Sequence, residues 1–159
     1  AKVVLQDIKK TKILLLDDFF ISYRKTRLKK GQFIHSIRIP LQKDNIFKAY
    51  KISKRFDDDI SSVCGAFNLE IKKNKIKNAR ISYGGMAAIP KRAIYCERIL
   101  LNSPFTDEII YKAKKALEKD FSPISDMRAS KIYRMEVAKN LFEKFFIEMK
   151  EKKIIGVYF

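Results

Sequence analysis

The sequence predicts an α+β fold in which the strands come first and the helices follow. Apolar and polar residues alternate in segments 32–39, 47–54, 62–72 and 76–83, which is typical of strands with one buried face. From residue 91 onward, apolar residues recur at three- and four-residue spacing, which indicates helices. Because strands followed by helices pack as separate layers, we expect an antiparallel sheet of three to four strands against three helices.

The first forty residues contain strands but do not complete a unit by themselves. Two apolar runs, residues 3–5 and 13–16, are typical of strands, and a third strand over residues 32–39 ends at Pro40. These segments are expected to be the final strands of a preceding lobe. We therefore divide the chain into residues 1–40 and a second domain over residues 41–159.

A lysine-rich turn at residues 72–77 predicts a hairpin between the strands that flank it. The second strand ends at the glycine pair 84–85, which permits a positive φ or the close approach of another backbone. Pro90 suits the first turn of a helix predicted over residues 91–101. The residues at helical spacing in that helix are Ile94, Arg98 and Leu101.

Two longer helices complete the predicted fold. Thr106 is a natural N-cap for a helix to about residue 119, with Asp107 and Glu108 favourably placed in its first turn. Ser125 or Asp126 can cap the last helix, which continues to about residue 150. The apolar stripe of that helix consists of Ile132, Met135, Val137, Ala138, Leu141, Phe142, Phe145 and Phe146.

Composition restricts the possible functions. The 159 residues carry a formal net charge of +17, which would suit phosphate neutralisation in a nucleic-acid-binding protein. The lysines are scattered along every segment, however, which favours a solvated basic surface. Two cysteines without metal-ligand spacing suit a reducing cytoplasm, and no apolar run approaches the ~20 residues that span a bilayer. We expect a cytoplasmic protein.

Known catalytic patterns are scarce. His35 is the only histidine, which excludes a multi-histidine metal site, and the chain contains no glycine-rich phosphate loop ending in Lys-Ser or Lys-Thr. Taken alone, the residues do not form a complete active site, and we assign no catalytic or metal-binding residue.

Four motifs in one order resemble a known family. They are residues 19–26 (Phe-Phe-Ile-Ser-Tyr-Arg-Lys-Thr), residues 50–60 (Tyr-Lys-Ile-Ser-Lys-Arg-Phe-Asp-Asp-Asp-Ile), the Tyr-Gly-Gly-Met-Ala and Pro-Lys-Arg-Ala elements within 83–93, and the Asp-x-Arg-Ala-Ser-x-x-Tyr-Arg element of 126–134. This pattern is similar to the FAD domain of the molybdenum hydroxylases, which include xanthine dehydrogenase and carbon monoxide dehydrogenase. The resemblance runs from about residue 15 to residue 147.

The resemblance implies the carboxy-terminal lobe of a flavoprotein domain. Residues 1–40 would then be the final strands of the FAD-binding lobe, and residues 41–159 the flavoprotein C-terminal domain. In this family electrons pass from molybdopterin through two iron–sulfur clusters to FAD, and NAD takes a hydride from the flavin. The implied partners are the N-terminal iron–sulfur and FAD part of the same subunit, a molybdopterin-binding large subunit and NAD.

The resemblance also implies flavin contacts. Lys51 matches a lysine that approaches FAD, where a cation would favour the anionic reduced flavin. By its own sequence context it is an ordinary surface lysine at a strand edge. Ile34 matches an apolar residue that packs on the cofactor, and residues 52–62 match the loop beside the flavin where NAD enters. The loop residues expected on the flavin or NAD side are Arg55, Asp58 and Asp59.

The chain also departs from the family pattern. The glycine-rich flavin and pyrophosphate loops and the cluster-binding cysteines are missing, and Ser22 stands where the family often has glycine. We therefore expect a fragment of a longer subunit, or a split or decayed gene, and an isolated chain that binds FAD weakly or not at all. Two alternatives remain: a small basic nucleic-acid-binding protein, and a decayed remnant that serves as an interaction surface.

Overall fold

Two separate hydrophobic cores organise the chain. The computed structural model describes residues 1–41, 45–55 and 60–151 and divides the chain into the units Ala1–Lys43 and Asp44–Phe159. Each unit has its own sheet and its own cluster of buried apolar side chains. The assignment of residues 1–40 to a flavin-binding lobe stays a prediction.

The first unit is built around its first strand. A three-stranded antiparallel sheet has the order β2-β1-β5, and β3 pairs with β4 in a separate ribbon. Its core consists of Val3, Leu5 and Phe19. The elements are β1 (Lys2–Gln6), β2 (Thr11–Leu15), the short helix α1 (Leu16–Phe19), β3 (Phe20–Ser22), β4 (Lys25–Thr26) and β5 (Phe33–Arg38).

The second unit has the predicted α+β architecture. A four-stranded antiparallel sheet of order β6-β7-β8-β9 carries the helices α2, α3 and α4 on one face. None of the described helices is long and apolar enough to cross a membrane. The elements are β6 (Ile46–Ser53), β7 (Ser61–Lys72), β8 (Lys75–Gly84), β9 (Lys91–Arg92), α2 (Ile94–Leu100), α3 (Asp107–Asp120) and α4 (Lys131–Glu151).

The hairpin between β7 and β8 confirms the prediction from the lysine-rich turn. Its two turn residues, Lys73 and Asn74, have φ angles of +49° and +58°. Two successive positive φ angles match the right-handed twist of the flanking strands. The paired strands then supply the central part of the sheet.

Aromatic packing holds the sheet to α4. The Phe67 ring lies at the centre, stacked on Phe145 with 5.1 Å between centroids and in edge contact with Tyr83 at 5.6 Å. A side chain at Gly65 would come within 2.8 Å of the Phe67 ring, so this glycine makes room for the aromatic group. The buried Tyr83 hydroxyl donates to the Ala138 carbonyl at 2.8 Å, and this bond joins β8 directly to the backbone of α4.

The helix predicted over residues 91–101 begins later than expected. Lys91–Arg92 forms strand β9, which pairs with Ser82 and Tyr83 of β8. Pro90 therefore precedes a strand, and the prediction that it occupies the first turn of a helix is wrong. The chain returns to the sheet edge before it becomes helical, because β8 still offers backbone partners there.

The buried face of α2 also differs from the prediction. Ile94 and Leu101 are exposed, whereas Cys96 and Leu100 are fully buried. The start of the helix is held from a distance, since the Asp120 carboxylate accepts the backbone N–H groups of Tyr95 (2.8 Å) and Cys96 (3.0 Å). Asp120 lies at the last turn of α3, so the end of one helix caps the beginning of another.

The start of α3 agrees in position with the prediction, whereas α4 begins at Lys131, several residues after the predicted caps Ser125 and Asp126. Thr106 occupies the N-cap position of α3, but its side chain makes no capping hydrogen bond. At α4, Ser125 Oγ accepts the Lys131 N–H at 2.8 Å, and Ser130 Oγ accepts the Tyr133 N–H at 3.2 Å. Ser130, which was not predicted as a cap, therefore shares this role with Ser125.

Candidate functional site

Lys51 lies on the sheet face that points away from the helices. Its neighbours in β6, Tyr50 and Ile52, pack against the core on the opposite face, and Lys51 itself is exposed. The backbone pairing places Lys51 beside Cys64, and Cys64 beside Gly84. No hydrogen bond or ion pair of the Lys51 ammonium is present among the described residues.

The row formed by Lys51, Cys64 and Gly84 fits a flat cationic contact surface. Cys64 has a small side chain and Gly84 has none, and the next row of the sheet pairs Ala49 with Ala66. A planar ring can approach such a surface closely, and an adjacent ammonium favours negative charge on that ring. The residues present therefore fit one side of a flavin ring.

The other predicted site residues occupy different places. Ile34 lies in β5 of the first unit, beside Leu5, and 47% of its surface is exposed. Arg55 lies two residues after the end of β6 in the second unit. Asp58 and Asp59 lie outside the described residues, so their predicted position in the loop stays a prediction.

Two of the sequence motifs meet around a cationic cavity. It has a volume of about 430 Å³ and is lined by Lys54 and Arg55 from the segment after β6, and by Met127 and Arg128 from the segment before α4. The Lys54 ammonium donates to the Met127 carbonyl at 3.2 Å, which joins the two segments. Arg55 therefore lies at a cavity to which the Asp-x-Arg-Ala-Ser motif also contributes.

Asp126 organises the segment before α4. Its Oδ1 atom accepts the backbone N–H groups of Arg128 (2.8 Å) and Ala129 (3.2 Å), and it also accepts Arg134 Nη2 at 2.6 Å. These donors lower the pKa of Asp126 from 3.8 to about 2. The Arg128 N–H has the largest effect, followed by the Arg134 guanidinium and the Ala129 N–H. The carboxylate remains charged at neutral pH.

Arg134 connects three parts of the second unit. This side chain is 3% exposed, and its Nη1 atom donates to the carbonyl oxygens of Gly85 (2.9 Å) and Ser62. With the bond to Asp126, the guanidinium ties the start of β7, the turn after β8 and the segment before α4 together. A buried cation that is paired and hydrogen-bonded in this way is costly to disrupt.

Arg134 was not among the predicted site residues, although its position in the sequence carries a signal. Arg134 lies four residues before Ala138 and seven before Leu141, both of which are buried on the face of α4 that meets the sheet. A charged residue at helical spacing with core positions needs a buried partner. That pattern indicates that Arg134 is a buried residue that links separate segments of the chain through hydrogen bonds.

Gly85 confirms the prediction from the glycine pair. It has a φ of +80°, and a Cβ atom there would overlap the carbonyl oxygen of Ser62 and lie 3.1 Å from Arg134 Nη1. At Gly84 an added Cβ would only make an ordinary 3.7 Å contact with Cys64. Both predicted uses of glycine, the positive φ and the close backbone approach, therefore occur at Gly85.

Comparison with solved structures identifies the class of fold. Quinoline 2-oxidoreductase from Pseudomonas putida 86 contains a chain that superposes with a TM-score of 0.83 at 18% sequence identity, covering 97% of this chain and 53% of that chain. The sequence profile of the CO dehydrogenase flavoprotein C-terminal domain matches residues 48–149. The protein therefore belongs to the CO dehydrogenase flavoprotein C-terminal domain family, which confirms the class predicted from its motifs.

Curated relatives are similar over nearly the whole chain. The xanthine dehydrogenase of Emericella nidulans is 32% identical over 149 residues, which cover 91% of this chain and 11% of that protein. The glyceraldehyde dehydrogenase medium chain of Sulfolobus acidocaldarius is 28% identical over 149 residues, covering 94% of this chain and 53% of that one. The chain thus spans about half of one relative and about a tenth of the other, and the nucleic-acid-binding alternative gains no support.

Proposed function

We propose that this protein forms one wall of the FAD site in a molybdenum-hydroxylase-type oxidoreductase. The observation that carries the proposal is the exposed Lys51 ammonium on a flat row of small side chains, in a domain of the flavoprotein family. FAD, when bound, would accept electrons from iron–sulfur clusters and pass them as a hydride to NAD. The chain's own residues would position the flavin and set the charge around it.

Each predicted site residue has a separate task in this proposal. Lys51 would stabilise negative charge on the reduced flavin, and Ile34 would pack on the cofactor from the strands of residues 1–40. Arg55, with Asp58 and Asp59, would face the side of the loop where NAD enters. Arg134 would act as a positioning residue, because its bond to the Ser62 carbonyl holds the end of the segment that carries Arg55, while the bond from Lys54 to the Met127 carbonyl holds the beginning.

The proposal also includes partners. Because the chain spans only part of its relatives, the rest of the FAD site would come from an amino-terminal iron–sulfur and FAD part. Molybdopterin would reside on a large subunit, where substrate is oxidised, and the assembly would work in the cytoplasm. The relatives are named for xanthine and glyceraldehyde, so we propose no particular substrate.

The first test is the intact mass and visible spectrum of the protein isolated from its source cells. A larger yellow-brown species with flavin and iron–sulfur absorption would support the proposal. A colourless species of 18.6 kDa, with no flavin-bearing partner, would overturn it.

A variant pair then tests Lys51 within the flavin-bearing assembly. Lys51→Met should make the flavin reduction potential more negative by roughly 30–65 mV, the two-electron equivalent of losing a charged hydrogen bond of about 1.5–3 kcal/mol. Lys77→Met, an equally exposed lysine on β8, is the matched control and should leave the potential unchanged. Equal potentials in both variants would refute the role of Lys51.

A further inference from the structure

The groove between α2 and α3 combines four cations with a short apolar floor. Its volume is about 320 Å³, and no acidic side chain of the described residues lines it. The groove shares no residue with the cavity beside Arg55 or with the Lys51 surface. Its cations are Arg98, Lys112, Lys115 and Lys119, and its floor is formed by Ile99 and Ala116.

Three of the four cations make no ion pair with the described residues, although Lys115 lies near enough to Glu118 to help lower the pKa of that carboxyl group. Lys112 is ion-paired with Glu108 at 2.5 Å, one turn earlier on α3. Arg98, Lys115 and Lys119 have no acidic side chain within 4.0 Å in the part of the chain that the structure describes. The groove therefore presents a net positive charge.

The neighbouring groove between α3 and α4 shows that this is not a general property of a lysine-rich chain. There the cations are matched, since Lys114 pairs with Glu143 at 2.5 Å and Lys150 pairs with Asp107 at 2.8 Å. Both grooves involve α3, yet only the groove against α2 lacks acids. The charge imbalance is therefore specific to the α2 side of α3.

Two of the four cations lie over tyrosine rings. The Arg98 guanidinium lies 5.7 Å from the centre of the Tyr95 ring, and the Lys115 ammonium lies 4.5 Å from the centre of the Tyr111 ring. Such cation–π contacts restrict long side chains that would otherwise lose rotamer freedom on binding. Arg98 and Lys115 are thus restrained before a ligand arrives.

We propose that this groove binds an acidic, amphipathic segment of a partner protein. Its carboxylates would pair with Arg98, Lys115 and Lys119, while its small apolar side chains would rest on Ile99 and Ala116. Exposed charges of this kind accelerate and orient association more than they tighten it. Nucleic acid fits less well, because stacking needs free aromatic faces and the chain's own cations lie over both tyrosine rings.

The test uses a fluorescein-labelled synthetic peptide in which Glu alternates with Ala and Leu. Binding to the full chain is measured by fluorescence anisotropy at low and at moderate salt. The groove variant R98E/K115E/K119E should bind about tenfold more weakly or worse, from three exposed ion pairs. The control K73E/K75E/K77E makes the same change in net charge on the exposed β7–β8 hairpin and should bind like the unaltered chain.

Several outcomes would overturn the proposal. Equal weakening in both triple variants would show that only overall charge matters. Absence of measurable peptide binding to the unaltered chain would also overturn the proposal. A single-stranded oligothymidylate that binds more tightly than the peptide, and loses affinity in the groove variant alone, would assign the groove to nucleic acid.

A second measurement guards against a folding defect. The neutral variant R98Q/K115Q/K119Q should weaken peptide binding to an intermediate degree. A Lys-for-Glu peptide should prefer the reversed groove to the original one. A misfolded groove variant would give neither graded loss nor reversed preference.

Discussion

Replacement of Gly85 by alanine tests whether the turn after β8 depends on backbone geometry. Ala at a φ of +80° is disfavoured by roughly 1–2 kcal/mol. Its Cβ atom would also displace the Ser62 carbonyl, which accepts a hydrogen bond from the buried Arg134 guanidinium. Loss of a hydrogen bond to a charged group costs about 1.5–3 kcal/mol, so Gly85→Ala should lower the free energy of unfolding by about 2.5–5 kcal/mol.

Gly84→Ala is the matched control for this measurement. It adds the same methyl group one residue earlier, where the new atom would make only an ordinary contact with Cys64. We expect it to change stability by less than about 1 kcal/mol, as surface substitutions generally do. Urea unfolding followed by far-ultraviolet circular dichroism gives both values. If Gly85→Ala lies within 1 kcal/mol of Gly84→Ala, the proposed coupling through Ser62 and Arg134 is wrong.

Three further predictions follow from titratable groups. Hydrogen bonds lower the pKa of Asp126 to about 2, so the stabilising effect of the Asp126 carboxylate is complete above pH about 4 and is lost as the pH falls to about 2. The free energy of unfolding of the Asp126→Asn variant should therefore fall less steeply over this range than that of the unaltered chain. Tyr50→Phe removes a 2.6 Å hydrogen bond to the buried Glu148 carboxylate and should cost about 1.5–3 kcal/mol in urea unfolding, whereas Tyr111→Phe should be neutral. Burial raises the pKa of both Tyr50 and Tyr83, and the Glu148 carboxylate raises that of Tyr50 further. At pH 10.5 the absorbance at 295 nm should therefore show that at least two of the seven tyrosines stay un-ionised until urea unfolds the protein.

The parts of the fold that were predictable depend on local sequence. Alternation in β7 and β8 locates their buried faces, and the turn at Lys73 and Asn74 needs only residues that tolerate positive φ. The motif resemblance located Lys51 on a strand, where alternation with Tyr50 and Ile52 already sends it to the exposed face. In these cases neighbours within a few residues decide the outcome.

The parts that were not predictable depend on distant partners. Strand β9 forms because Lys91–Arg92 meets free backbone groups of β8, which no local periodicity reveals. The site prediction likewise omitted Arg134, whose partners Ser62 and Gly85 lie 72 and 49 residues earlier. A sequence motif can include such residues, but only the three-dimensional structure shows which of them stabilise the segment after β6 and which are exposed to a ligand.

The cap that Asp120 supplies to α2 determines the order in which this region can fold. Helix α2 has seven residues, well short of the ~12–15 at which an isolated helix becomes even marginally stable. Two of its N–H groups are satisfied only once residue 120 has arrived, about twenty-five residues later in the chain. We therefore expect α2 to become stable only after α3 has been synthesised, so that the two helices form together as one cooperative unit.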